Sequence, residues 1–372
     1  MVKDTSPKAE APVYAGERVR AVRLLIGSSQ SDLAASLGVT QAQISHIESG
    51  RRSATVEFLD QVAAATNFPR SYFEAVPADL PPLTLRFRRK TTALSTEVHR
   101  AEQLVAETYR VVWQLVRDRG RYLPPALPLA AGEILSIDSV EELAAQTRDN
   151  LGLDPSGPVL HVTRSLERGG IVVAPLAFSE SDDDSETIGH FGASCWPGPP
   201  DPAVIGYFEG GSGDRQRFTL AHELGHLVMH TRRRFVSDPE DEANRFAGAF
   251  LVPRVRAEEF ITTDITLGDL ARLKATWGVS IQALIMRCGQ LGLIDPARKT
   301  SLFKQLSARG WRKNEPVRVH PEPPTLLAKL IEYRFGEGMA GYRRAADVLG
   351  LPVFALATLA PLTKTKGLPS NS

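Results

Sequence analysis

The sequence predicts a multidomain, mainly α protein: an N-terminal all-α domain, a central α+β domain with a small sheet, and a helical C-terminal region. Length is the first support, since 372 residues exceed the roughly 100–200 typical of one domain and allow a sizeable core. The second is periodicity, because apolar residues recur at helical spacing along most of the chain and strand-like runs are confined to the middle. The third is composition. With 44 Lys+Arg against 43 Asp+Glu, the net charge of +1 excludes a globally basic nucleic-acid coat protein and an acidic disordered tail. A local DNA-binding patch stays open, because exposed charges act within a Debye length. Two cysteines, Cys195 and Cys288, are too few for a disulfide framework or a Cys-only zinc module. The N-terminus lacks the apolar stretch of a signal peptide. The longest apolar run, around Leu351 to Leu362, is short and holds Pro352 and Pro361, so no membrane span is expected. A reduced, cytoplasmic protein is the expectation.

Residues 1–14 read as a disordered leader without periodicity. In the N-terminal domain, 15–75, Val19, Val22, Leu25 and Ile26 keep one helical face and Leu33, Ala34 and Leu37 the next. Ile44 and Ile47 mark a third helix, and Val56, Leu59, Val62 and Ala63 a fourth. A connection over 76–150 starts with a linker bearing Arg86, Arg88, Arg89 and Lys90, which reads as a solvated linker or as extra phosphate contacts. A long helix follows, with the stripe Leu94, Val98, Ala101, Val105, Val112, Leu115, ending at Gly120. Ser139 with Glu142 resembles a capping box for a helix running to Asn150.

The central domain, 151–295, is expected to hold a helix from Val159 to Arg168, strands at Ile171–Ala174 and Ala203–Phe208, and an acidic loop at Ser181–Glu186. Helices follow at Arg215–Thr231 and Pro239–Leu251, the latter capped by Asp238 with Pro239 in its first turn. Leu267 to Leu291 is also helical. The C-terminal region, 296–372, has a Pro/basic stretch from Asn314 to Pro324 and a last helical stretch from Leu326 to Leu359, read as a packing bundle with a flexible end.

The segment Ala221–His230 reads AHELGHLVMH. His222 and His226, at i and i+4, stand on one helical face and can bind one metal ion. Glu223 beside the first ligand is placed to take a proton from a water acidified by zinc. A third ligand is needed. His230 cannot share the ion with His222, because eight helical residues rise about 12 Å against bonds of about 2 Å. The next helix has the apolar stripe Ala243, Phe246, Ala247, Phe250, Leu251. Glu242, one turn before Phe246, points near its buried side and is the expected third ligand, with Glu240 and Asp241 facing solvent. Asn244 is either a partner that orients a ligand histidine or an ordinary surface residue. Arg232, Arg233 and Arg234 read as a solvated helix end or as a basic site for an acidic substrate.

The N-terminal domain has its own chemistry. Gln30 opens one helix, Gly38 turns the chain and Thr40 caps a second helix, a geometry that sets the second in the major groove. Gln41, Ala42, Gln43, Ser45 and His46 are expected outward and Ile44 and Ile47 inward. Gln can bind adenine bidentately, Ala can touch a thymine methyl, and Arg51 and Arg52 can hold phosphates. The alternative is a generic four-helix interaction module.

The run RQRFTLAHELGHLVMH followed by EANRFAGAFLVP resembles the ImmA/IrrE family of zinc-dependent endopeptidases over roughly residues 150–295. The resemblance implies a zincin-like fold, with His222, His226 and Glu242 as zinc ligands and Glu223 as catalytic base. It also implies cleavage of a helix-turn-helix repressor. Residues 16–70, with ISHIESGRR especially close, resemble the XRE family of Cro and phage-repressor regulators. That implies double-stranded operator DNA as partner and a homodimer on a palindromic site. Together they suggest a transcriptional regulator carrying a zinc endopeptidase that acts on a repressor-type protein or on itself. The alternative is a non-catalytic transcription factor whose metal domain is a sensor or dimerisation module.

Overall fold

The computed structural model describes residues 12–78, 80, 86–87, 95–117, 122–132, 135–177, 192–233 and 236–362. The leader through Ala11, Arg88–Lys90, the Ser181–Glu186 loop, Arg234 and the last ten residues lie outside them.

Four short helices open the chain: α1 (Ala15–Leu25), α2 (Gln30–Leu37), α3 (Gln41–Glu48) and α4 (Val56–Thr66), followed by a 3-10 turn at Arg70–Glu74. Their ends are written in side chains. Ser29 and Asp32 form a reciprocal capping box on α2, and Thr40 and Gln43 form one on α3. Gly38, at φ 65°, supplies the left-handed residue that ends α2. Gly16 has a packing role: a Cβ there would stand 2.1 Å from the Ile47 carbonyl, so only glycine lets α1 approach α3.

Strand β1 (Arg86–Phe87) and the long α5 (Ser95–Val116) connect to α6 (Ile137–Asn150). The cap of α6 is Ser136, whose Oγ accepts from Ser139 N at 3.1 Å. The expected Ser139–Glu142 box does not form, because the helix begins one turn earlier and Glu142 bonds Gln146 instead. The middle continues with α7 (Val162–Arg168), β2 (Ile171–Pro175), β3 (Gly192–Cys195) and β4 (Ala203–Tyr207). The strand order is β1-β3-β4-β2, with β2 and β4 parallel and the other pairs antiparallel. The helices α8 (Gly213–His230) and α9 (Pro239–Leu251) carry the metal motif. They precede α10 (Arg254–Phe260), α11 (Leu267–Trp277), α12 (Ile281–Gln290), α13 (Pro296–Ala308), α14 (Leu326–Phe335), α15 (Gly338–Leu349) and α16 (Val353–Leu359).

The sheet divides two hydrophobic cores by the period-2 alternation of strand side chains. Val172, Ala174, Ala193, Cys195 and Val204 face a core shared by α1–α5 and α14–α16. Ile171, Val173, Ala203, Ile205 and Tyr207 face the core of α6–α13. The C-terminal helices thus pack with the N-terminal domain. One buried carboxylate ties the joint: Glu107 on α5 accepts from Arg18 on α1 at 3.0 and 3.2 Å and from Arg110 at 2.6 Å. Tyr72 OH donates to it at 3.3 Å, and Arg110 also donates to the Leu349 carbonyl at 2.7 Å. A strap at 311–325 joins the two cores. Glu315 accepts from Lys274 and from the backbone N of Ile281, while Glu322 accepts from Arg217 and from Thr163 N.

Candidate metal centre and nucleic-acid interface

Helix α8 is buried over nearly its whole length, and α9 packs along it. Gly225 makes their approach close, since a Cβ there would lie 3.1 Å from the Phe246 ring. Against this contact His222 Nε2 and His226 Nε2 come within 3.1 Å of each other. Glu240 on the first turn of α9 sets Oε2 3.4 Å from His222 Nε2 and Oε1 3.4 Å from His226 Nε2. Tetrahedral zinc with bonds of about 2 Å holds its ligand atoms about 3.3 Å apart, and the N–N and the two N–O distances here are of that size. They form the one group of metal-binding character among the described residues. Two buried carboxylate oxygens here, Glu240 Oε2 and Glu223 Oε2, have no hydrogen-bond partner. That fits a site whose remaining valence goes to a cation and to a reacting group.

At the third position the geometry differs from the expectation. Glu240, expected in solvent, faces the histidine pair, and Glu242, expected at the metal, does not. Glu242 accepts from Arg233 Nη1 at 2.5 Å and Nη2 at 3.1 Å, and lies 3.0 Å from His230 Nε2. The physical reason is helical phase: two residues turn about 200°, so only one of these carboxylates can face His222 and His226. Glu242 does turn inward, but toward the C-terminal end of α8. The signal was present in Glu240, Ala243, Asn244, Ala247 and Leu251, an i, i+3, i+4, i+7, i+11 series. Asn244 Oδ1 lies 3.1 Å from His222 Nδ1, leaving Nε2 toward Glu240. Arg233 is buried rather than solvated, with Nε on the Gly132 carbonyl at 2.9 Å.

Glu223 is 1% exposed. Burial raises its carboxyl above the ordinary range, with His226, His222 and a hydrogen bond from Ser194 pulling the other way. Glu240 also meets a burial penalty, but the close approach of His222 and His226 outweighs it and holds it well below the ordinary range. Strand β3 supports this arrangement, and the sequence did not reveal it. A Cβ at Gly192 would stand 2.7 Å from Thr219 and 3.0 Å from Glu223 Oε1, so glycine is what admits α8 against β3. Cys195, on the same strand, points into the opposite core.

A groove of about 750 Å³ runs between α8, α9, α12 and the strap. One end reaches Thr219, a helical turn before His222, and Asn244, which bonds that histidine. Phe218, Met286 and Phe303 give it an apolar lining, and Arg312 and Arg318 line it from the strap.

At the other end of the molecule, Gln41, Ala42 and His46 are exposed on α3, Gln43 and Ser45 are half-buried, and Ile44 and Ile47 are buried. Gln41 Nε2 donates to Gln30 Oε1 at 2.7 Å, and Gln30 Nε2 donates to Glu48 at 2.8 Å. Glu48 is gripped in turn by Arg23 at 2.6 and 2.8 Å. The Gln41 amide is thus held in place on an exposed helix start. Gln43 differs: its Oε1 accepts from Thr40 N at 3.0 Å, so its side chain serves the cap. Arg51 and Arg52 are exposed beyond the helix end.

Comparison with known proteins follows the same division. A helix-turn-helix family model matches residues 19–73, and that of the IrrE N-terminal-like domain, a peptidase family, matches residues 167–288. Uncharacterised HTH-type transcriptional regulators from Sinorhizobium medicae and Rhizobium meliloti are each 31% identical over 80 residues, which is 21% of this chain. The chain spans 58% of the length of these relatives. Bacillus thuringiensis PlcR, in complex with the peptide PapR7 and DNA, is 12% identical, with coverage of 80% of this chain and 97% of that one. Its TM-score of 0.16 carries no statement about a shared fold. No described helix is long and apolar enough to cross a membrane.

Proposed function

We propose that this chain, a helix-turn-helix domain joined to an IrrE N-terminal-like domain, is a DNA-binding transcriptional regulator with a zinc-dependent endopeptidase centre. The observation that carries the reading is the convergence of His222, His226 and Glu240, one ligand atom from each within 4.8 Å of the others, with Glu223 beside them. Residues 222, 226 and 240 would hold the ion, which when bound supplies Lewis acidity toward a carbonyl oxygen and acidifies water. Glu223 takes, at its unpartnered oxygen, the proton of the water that adds to the scissile carbonyl carbon, and passes it to the amine nitrogen as the C–N bond breaks. Burial keeps bulk water from that carboxylate. The groove beside Thr219 and Asn244 supports an extended peptide as substrate, drawn from a repressor-type regulatory protein or from this chain. On the DNA side, Gln41 held by Gln30 reads a base edge, and Arg51 and Arg52 contact phosphates.

The test is Glu223→Gln in the full chain. Retained zinc and DNA binding with abolished chelator-sensitive cleavage is the expected outcome, and cleavage surviving the substitution overturns the assignment.

One observation favours a second reading, in which the metal domain senses a signal. The sheet behind the metal centre also closes the core that holds the DNA-reading helices, so a change at one face can be felt at the other. Equal regulation in cells by wild type and Glu223→Gln would select it.

A further inference from the structure

We infer that His230, Glu242 and Arg233 form a positioning chain that orients His226 for the metal; the inference rests on the zinc-centre reading above. His226 Nδ1 lies 2.8 Å from His230 Nδ1. His230 Nε2 lies 3.0 Å from Glu242 Oε2. Arg233 closes the far end with two bonds to the Glu242 carboxylate and a third to the Gly132 carbonyl. The side chain of His230 has no exposure at all, so it is anchored inside the protein.

The proton inventory allows one arrangement that leaves a lone pair for the ion. His226 must present a bare Nε2, so its proton sits on Nδ1 and donates to His230 Nδ1. His230 then accepts at Nδ1, carries its proton on Nε2 and donates to Glu242. The ionised carboxylate accepts from His230 and from both Arg233 nitrogens. Every bond in the row has one donor and one acceptor, and each ring is fixed in tautomer and rotation. His222 has a shorter version of the same support in Asn244. Partners behind a ligand histidine are worth about 10- to 100-fold in metal affinity. The i+8 histidine of the motif thus acts one step away from the ion, and Glu242 two steps away.

The test is zinc affinity by competition with a chromophoric chelator, on the full chain. His230→Phe fills the same space without the acceptor and is expected to weaken zinc binding about 10- to 100-fold. His230→Gln, whose amide can both accept and donate, is expected to recover part of the loss. Glu242→Gln is expected to fall between, and its effect is expected to be less than additive with His230→Phe. Nitrogen-15 NMR of the zinc-loaded wild type adds a readout independent of any variant: His230 is expected to carry its proton on Nε2. A folded His230→Phe with wild-type zinc affinity, or a His230 protonated on Nδ1, would overturn the chain. A wild type that binds no zinc would instead overturn the zinc-centre reading itself.

Discussion

Glu240 and Glu242 stand two residues apart on α9, and the phase of the helix gives them different partners. Glu240 meets His222 Nε2 and His226 Nε2 at 3.4 Å; Glu242 meets Arg233 and His230. Loss of a ligand must exceed loss of its support. Glu240→Gln is therefore expected to weaken zinc binding by more than the roughly 100-fold upper end for an outer partner, while Glu242→Gln stays within it. Isothermal titration of both variants checks this, and equal losses would return the third ligand to an open question. On the DNA side, Gln41 is exposed and held by Gln30, whereas the Gln43 side chain is spent on the cap of α3. Gln41→Ala is expected to lower operator affinity by about 1–3 kcal/mol, the worth of one bidentate base contact. A gel-shift titration on the selected operator reads it, and an unchanged affinity would remove Gln41 from the readout.

Among elements, the pair α8 and α9 makes the centre, and the distance between them is set by Gly225. A side chain there must push against the Phe246 ring, which has no exposure. Gly225→Val is expected to cost about 1–3 kcal/mol by overpacking and to weaken metal binding in parallel, because Glu240 moves away with α9. Thermal unfolding and metal analysis together test it; full metal affinity in a destabilised variant would mean that α9 repacks without shifting Glu240. The same helices show what the sequence could tell. The i, i+4 histidines, the Asp238 cap and the bounds of α9 were legible because they are local. Which carboxylate faces the histidine pair was not, since Glu240 and Glu242 both extend apolar stripes and only the partner helix decides between them. Strand β3 was missed for a related reason: Gly192, Ala193 and Ser194 carry little strand propensity, and their place is set by contact with α8 and β4.

On the scale of the whole molecule, the N-terminal helix-turn-helix and the central α+β region were legible, and the packing of the C-terminal helices was not. Nothing in the C-terminal sequence announces that α14–α16 complete the core of the DNA-reading domain, because that contact runs through residues as far apart as Tyr72, Glu107 and Leu349. Glu107 is expected to make this joint sensitive to acid. Burial pushes its carboxyl up, but Arg110 and Arg18 pull it down further, to about 2 against an ordinary 4.5. A lowered carboxyl stabilises the folded state above the ordinary value, and the contribution disappears as pH falls from 4.5 toward 2. Glu107→Gln, which leaves two buried guanidinium groups uncompensated, is expected to cost about 3–5 kcal/mol at neutral pH and to flatten that acid limb. Denaturant unfolding followed across pH would show both; an unchanged acid limb would place the sensitivity elsewhere.

The central claim is that residues 222, 223, 226 and 240 make a zinc-dependent peptidase in the same chain as the DNA reader. The direct measurement is mass spectrometry of candidate helix-turn-helix repressors, and of the chain itself, after incubation with zinc-loaded wild type or Glu223→Gln, with and without chelator. Both proteins are expected to bind one zinc ion, and only the wild type is expected to yield fragments, which chelator prevents. Fragments from Glu223→Gln, fragments that persist in chelator, or a zinc-loaded wild type that cuts nothing would contradict the account.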